Sequence, residues 1–182
     1  MYCVRDLSLL ESPSDSRDYI AESIYHVKLS VPQTLDLRKK LPPIRDQGSQ
    51  GTCAAQSAAC MKEYQERLDI NYKGHMSPQY VYNLRQNKES SGMYLRDVMK
   101  ILTKHGICSE DNYIYGSTCQ PEEFAIEIAK NHTIKEYAII KSIDGLKKAL
   151  IKNGPCIIAF PVYNKGTRMW IPETKKQVRK GG

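Results

Sequence analysis

A glutamine and a cysteine, Gln47 and Cys53, stand six residues apart in this 182-residue chain, across the polar loop QGSQGTC. A thiol attacks a carbonyl carbon only as thiolate, and the exposed amide dipoles of a helix's first turn stabilise that anion and lower its pKa. The run CAAQSAACMKEYQERL is alanine-rich and free of Gly and Pro, so it predicts a helix beginning at Cys53, with Thr52 as its N-cap. Attack also needs a donor aimed at the oxygen that becomes negative. The side-chain amide of Gln47 can supply one such donor and the backbone N–H of Cys53 a second, with Gly48 and Gly51 letting the loop fold back tightly. Taken alone, Cys53 suits plain packing at a helix start equally well.

The elements around this pair follow from periodicity and punctuation. Three prolines and two glycines in VPQTLDLRKKLPPIRDQGSQG predict extended and turn conformations before the cysteine. HMSPQYVYNLRQN predicts a short helix with Ser77 capping and Pro78 at its first position. YLRDVMKILTKHG predicts another, with Leu95, Val98, Met99 and Leu102 at helical spacing and Gly106 as its stop. The period then shifts: HTIKEYAIIKS reads as a strand. SIDGLKKALIKNG reads as an amphipathic helix with Ile143, Leu146, Leu150 and Ile151 on one face, and CIIAFPVY as a buried strand. Helices precede strands, which makes an α+β fold with two unlike halves. Before residue 31 only YIAESIYHVKL suggests a short helix, so residues 1–30 read as an extension.

Composition narrows the function classes. With 41% hydrophobic residues the chain can bury a core without staples. Apolar runs such as CIIAF fall short of the ~20 residues a spanning helix needs. Arg5 and Asp6 interrupt the apolar stretch that a secretory signal requires, so an intracellular place is favoured. The other cysteines, Cys3, Cys60, Cys108, Cys119 and Cys156, form no C-x-x-C pair and read as reduced small hydrophobes, with no metal or cofactor expected. The net charge of +7 owes much to Lys165, Arg168, Lys175, Lys176, Arg179 and Lys180 near the end. Without interleaved aromatics this basic stretch reads as solvated surface, and no nucleic-acid partner is expected.

The segments VPQTLDLRKKLPPIRD and QGSQGTCAAQS resemble the active-site region of papain-like cysteine peptidases. MSPQYVYNLRQNKESSGMYLRDVMKILTKHGICSEDNYIY is similar to the segment after the catalytic helix in that family, and LKKALIKNGPCIIAFPVY to its later strand. The resemblance covers residues 31–182 and implies a two-lobed fold, the helical lobe first and a β-rich lobe second. By the same resemblance Cys53 is the nucleophile and Gln47 the oxyanion donor of a cysteine-type endopeptidase. The resemblance also implies that Gly92, in SSGM, pairs by its backbone with a polypeptide substrate in an extended conformation; Met93 and Tyr94 suggest an apolar pocket beside it and suit a place in the core equally well.

The departures carry expectations too. Gln50-Gly51-Thr52-Cys53-Ala54 replaces the family's C-G-[SA]-C-[WY], losing a disulfide cysteine and an aromatic, as in its disulfide-poor bacterial and viral branch. The family's general-base histidine lies about 130–150 residues after the cysteine, beyond Gly182 here, and neither it nor the orienting asparagine is expected in this chain. His26, His75, His105 and His132 do not fit the pattern. Without base and acid, each step loses roughly 10²–10⁴ in rate, so this chain alone is expected to be nearly inactive. The β lobe should lack its final strands, leaving edges for the missing portion or another chain to cover. The alternatives are a non-catalytic peptide-binding protein of the same fold and a transferase using the same thiol. Residues 1–30 are either a short propeptide or a strap crossing the domain.

Overall fold

The structure, a computed structural model, describes residues 9–25, 29–164, 168–172 and 174. Cys3, His26, Lys165 and most of the basic stretch (Lys175, Lys176, Arg179 and Lys180) lie outside the described residues. Five helices follow one another: α1 Cys53–Ile70, α2 Pro78–Asn83, α3 Leu95–Lys104, α4 Glu123–Lys130 and α5 Ile143–Asn153, with 3-10 turns at Ala21–Ser23 and Arg38–Lys40.

The first half builds the core. α1 packs against α2 and α3, and its small face lets them approach closely: Ala54, Ala55, Ala58 and Ala59 are all buried. They share one cluster with Met76, Val81, Met93, Val98, Ile101, Leu102 and Ile107. α1 also buries charged groups, which persist because each is paired. Lys62 Nζ lies 2.6 Å from Glu66 Oε1 and donates to the Thr133 carbonyl at 2.9 Å. Glu63 accepts from Arg45 Nη2 at 3.0 Å and from the Met76 N–H at 2.9 Å.

α2 begins as the sequence predicts: the Ser77 hydroxyl accepts the Tyr80 N–H at 3.1 Å, with Pro78 in the first turn. α3 buries Val98, Ile101 and Leu102, and the chain leaves it through Gly106 at φ +72°. A Cβ on Gly106 would stand 1.9 Å from the Ala129 carbonyl oxygen, so this glycine also admits α4. The sequence pattern predicts no element at α4, although Ala125 and Ala129 fall on its buried face at helical spacing.

The second half departs from expectation. Neither HTIKEYAIIKS nor CIIAFPVY is a named strand, and among the described residues no strand lies beside them to complete a ladder. Backbone amides in a strand need such a neighbour. What remains of the first is a parallel bridge between Ile139 and Ile20. The second is not a buried strand: Ile158 is 64% exposed, and Phe160 meets Trp170 edge-on at 5.9 Å. α5 does form, capped by Ser142, whose hydroxyl accepts the Gly145 N–H at 2.9 Å. Its expected apolar face is only partly covered, since Ile143 is 70% exposed and the buried positions are Gly145 and Ala149.

Residues 9–25 cross the domain as a strap. Leu10 bridges Tyr94 in parallel, its N–H donating to the Met93 carbonyl at 3.1 Å, and Leu9 packs on the core. Arg96 grips the strap through both carboxylate oxygens of Asp18 and through the Pro13 carbonyl. Farther on, Ala21 N–H donates to Ile139 O and Ile139 N–H to Tyr19 O, both at 2.8 Å. Glu22 then accepts the Lys141 and Ser142 N–H groups and the Ser142 hydroxyl at the start of α5, where a carboxylate also complements the helix dipole.

Candidate active site

Cys53 is the first residue of the 18-residue α1 and is half-buried. Its N–H therefore lies among the amides at the positive end of the helix dipole. Thr52 precedes it but does not cap with its side chain; its hydroxyl turns to Tyr115 at 2.7 Å. The expected Thr52 cap does not form: its backbone, at φ −96° and ψ 10°, lacks the extended conformation that the capping residues Ser77 and Ser142 adopt.

That loop is held by hydrogen bonds along its length. Arg45 anchors its start, with Nη2 on Glu63 and Nη1 donating to Glu110 at 2.5 Å and to the Met76 carbonyl at 3.2 Å. Asp46 Oδ1 accepts the Gly48 N–H at 3.0 Å, and Gly48 takes φ +62°, the backbone freedom expected of it. Gly51, buried, does not use the left-handed region. Gln47 Nε2 donates to the Gln50 carbonyl at 2.8 Å, and the Thr52 N–H donates to the same oxygen at 2.8 Å. Gln47 and Cys53 thus occupy the two ends of one tightly hydrogen-bonded turn. Arg45 does not stand out in the sequence, and Tyr115, though it lies in the family-like stretch GICSEDNYIY, carries no local sign that it reaches this loop.

Gly92 is buried, its carbonyl accepting from Asn87 Nδ2 at 2.8 Å and its N–H reaching Ser90 Oγ at 3.3 Å. Met93 is fully buried in the main core cluster, so its side chain is a packing residue and only its backbone carbonyl is presented, to Leu10. The described histidines sit elsewhere. His75 Nδ1 is 3.4 Å from Glu63 Oε2 and His132 Nδ1 is 3.2 Å from Glu66 Oε1. These carboxylates lie about 15 and 20 Å along α1 from Cys53 at 1.5 Å per residue. His105 closes the C-terminal end of α3.

Burial separates three of the other thiols from reactive ones, while Cys119 is exposed. Burial pushes Cys108 up to about 12 and raises Cys60 and Cys156, with the Glu63 charge adding to the shift at Cys60. Such groups stay protonated and inert near neutrality.

Residues 31–171 match the profile described as papain family cysteine protease. The chain belongs to the papain family. It is 27% identical over 193 residues to an uncharacterized peptidase C1-like protein of Acanthamoeba polyphaga mimivirus, covering 87% of this chain and 62% of the relative. It is 28% identical over 167 residues to cathepsin K of Mus musculus, covering 83% of this chain and 50% of the relative. Among solved structures, xylellain, a cysteine protease from Xylella fastidiosa, superposes with a TM-score of 0.65 at 26% identity, covering 82% of this chain and 65% of that one. This papain-family chain therefore spans half to two-thirds of the length of these relatives. The fold is papain-like α+β, the helical lobe formed and the β lobe incomplete among the described residues. No described helix is long and apolar enough to cross a membrane.

Proposed function

We propose that the protein is a cysteine-type endopeptidase in which the Cys53 thiolate attacks the scissile carbonyl and the Gln47 amide, with the Cys53 N–H, receives the developing oxyanion. The observation that carries this reading is the turn that joins Gln47, through Gln50 and Thr52, to the half-buried first residue of α1. A helix N-terminus favours the thiolate, and a donor fixed before attack lowers the barrier more than one recruited during it. Acylation forms a C–S bond and expels the amine, which needs a proton; water then releases the acyl group. A general acid must supply that proton; His75 and His132 are engaged with Glu63 and Glu66 far along α1, and His105 sits at the C-terminal end of α3.

An extended polypeptide is the substrate class, read along the backbone at Gly92. Support comes from the neighbouring Met93 carbonyl and Tyr94, with which an extended segment of this chain already pairs. Hydrolysis of an unfolded polypeptide by the full-length gene product is the test. Cys53→Ala should abolish it, and Gln47→Ala should lower turnover by roughly 10²–10³. Unchanged turnover in Gln47→Ala removes that residue from the oxyanion role.

The placement of the described histidines favours one second reading: the same fold binding an extended peptide without cleaving it. Peptide binding with no cleavage by the full chain, and equal binding by Cys53→Ala, would select it.

A further inference from the structure

We propose that Tyr115 is a positioning residue of this site, clasping the oxyanion loop shut by joining the Gln47 carbonyl to the Thr52 hydroxyl. The inference rests on the reading of Cys53 as nucleophile and Gln47 as oxyanion donor. The phenol lies 2.7 Å from the Gln47 carbonyl oxygen and 2.7 Å from Thr52 Oγ1. A carbonyl can only accept, so the single phenolic proton goes to Gln47, and Thr52 donates to the phenolic oxygen. The direction of both bonds is thereby fixed. One oxygen atom ties together the residue that carries the side-chain donor and the residue preceding the nucleophile.

The clasp is itself rigid. The segment bearing Tyr115 is fastened to α2, which contributes nothing else to the site. Ser77 Oγ donates to the Tyr113 carbonyl at 2.5 Å, and the Gly116 N–H donates to Gln79 Oε1 at 2.9 Å. Asn83 Nδ2 donates to the Tyr113 hydroxyl at 2.6 Å and to the Ser117 carbonyl at 2.9 Å. The Tyr113 ring packs edge-on against the buried Tyr80 at 6.1 Å. Ser77, Gln79 and Tyr80 are all buried, so the chain of contacts that ends at the loop starts in the core. Removing the hydroxyl leaves the fully buried Thr52 without this acceptor and the Gln47 carbonyl without this donor. Loosening by a fraction of an ångström then falls on the group whose placement matters most for an oxyanion.

The experiment compares two reactions at Cys53 in the full chain, neither needing an acid for the leaving group. p-Nitrophenyl acetate acetylates the thiolate through an oxyanion, forming a thioester and releasing p-nitrophenolate. Iodoacetamide alkylates it by displacement of iodide, with no oxyanion. Tyr115→Phe should slow acetylation about tenfold while alkylation stays within about twofold, and should add little once Gln47 is already Ala. Unchanged acetylation overturns the proposal, and so does a parallel loss of both reactions, which marks a general disturbance of the thiol. If Gln47→Ala slows acetylation and Tyr115→Phe does not, the clasp fails and the oxyanion reading stands. If neither does, the oxyanion reading itself falls.

Discussion

Reactivity in this chain is decided by where each sulfur sits. Cys53 opens a helix at half-burial, whereas Cys108 is wholly enclosed beside Tyr80 and Tyr113. Enclosure has a measurable consequence at alkaline pH. Burial lifts the Cys108 thiol from its usual 9.0 to about 12 and the Tyr80 hydroxyl from 10.0 to about 12. An unfolded chain releases these protons near their ordinary values, while the folded one holds them. The stability due to holding them neutral is therefore whole below pH 9 and is lost progressively as pH rises towards 12. Urea unfolding should show this decline, and Cys108→Ala should flatten it; an identical slope in the variant would mean that this thiol is not kept neutral by the fold. Gln47 and Cys53 are legible as a pair because both lie in one short window. Tyr115 is not, since it reaches Gln47 from 68 positions away and only the folded chain brings them together.

At the scale of elements, local signals survive and partner-dependent ones do not. Ser77 and Ser142 cap the helices they precede, and Gly106 ends α3, because each bond closes within a few residues. HTIKEYAIIKS and CIIAFPVY have the composition of strands, but a ladder is a property of two segments, and the first is left with a single bridge, Ile20–Ile139. Gly106 shows how a local and a distant demand coincide: it needs φ +72° and leaves room for the Ala129 carbonyl. Gly106→Ala should lower stability by at least about 2 kcal/mol, adding steric overlap with backbone to the strain of a positive φ. A loss well under that in urea denaturation would show that α4 shifts easily. Sequence alone leaves residues 1–30 open as propeptide or crossing segment, and the contacts of the described part at Met93, Arg96 and Ile139 suit either role. Arg96 holds it through Asp18 and Pro13. Arg96→Ala should speed trypsin cleavage at the exposed Arg17 and leave the urea midpoint of the core nearly unchanged. Equal cleavage rates would mean that the contacts at Ile139 and Ser142 hold the strap without it.

For the molecule as a whole, the helical lobe carries Cys53, the loop before it and the α2 contacts behind Tyr115, while the described part of the second half offers helix α5 and isolated bridges. Family and fold are readable because several motifs recur in the right order over most of the chain, and the match over residues 31–171 agrees with them. The proposed chemistry turns on one point: Cys53 is the activated thiol among the six cysteines of the sequence. Treating the full chain near neutrality with less than one equivalent of iodoacetamide, and mapping the adduct by peptide mass, tests it most directly. The adduct should form first at Cys53, with Cys60, Cys108 and Cys156 held back by their raised pKa values. Equal modification of all six, or a faster reaction at the exposed Cys119, would contradict it.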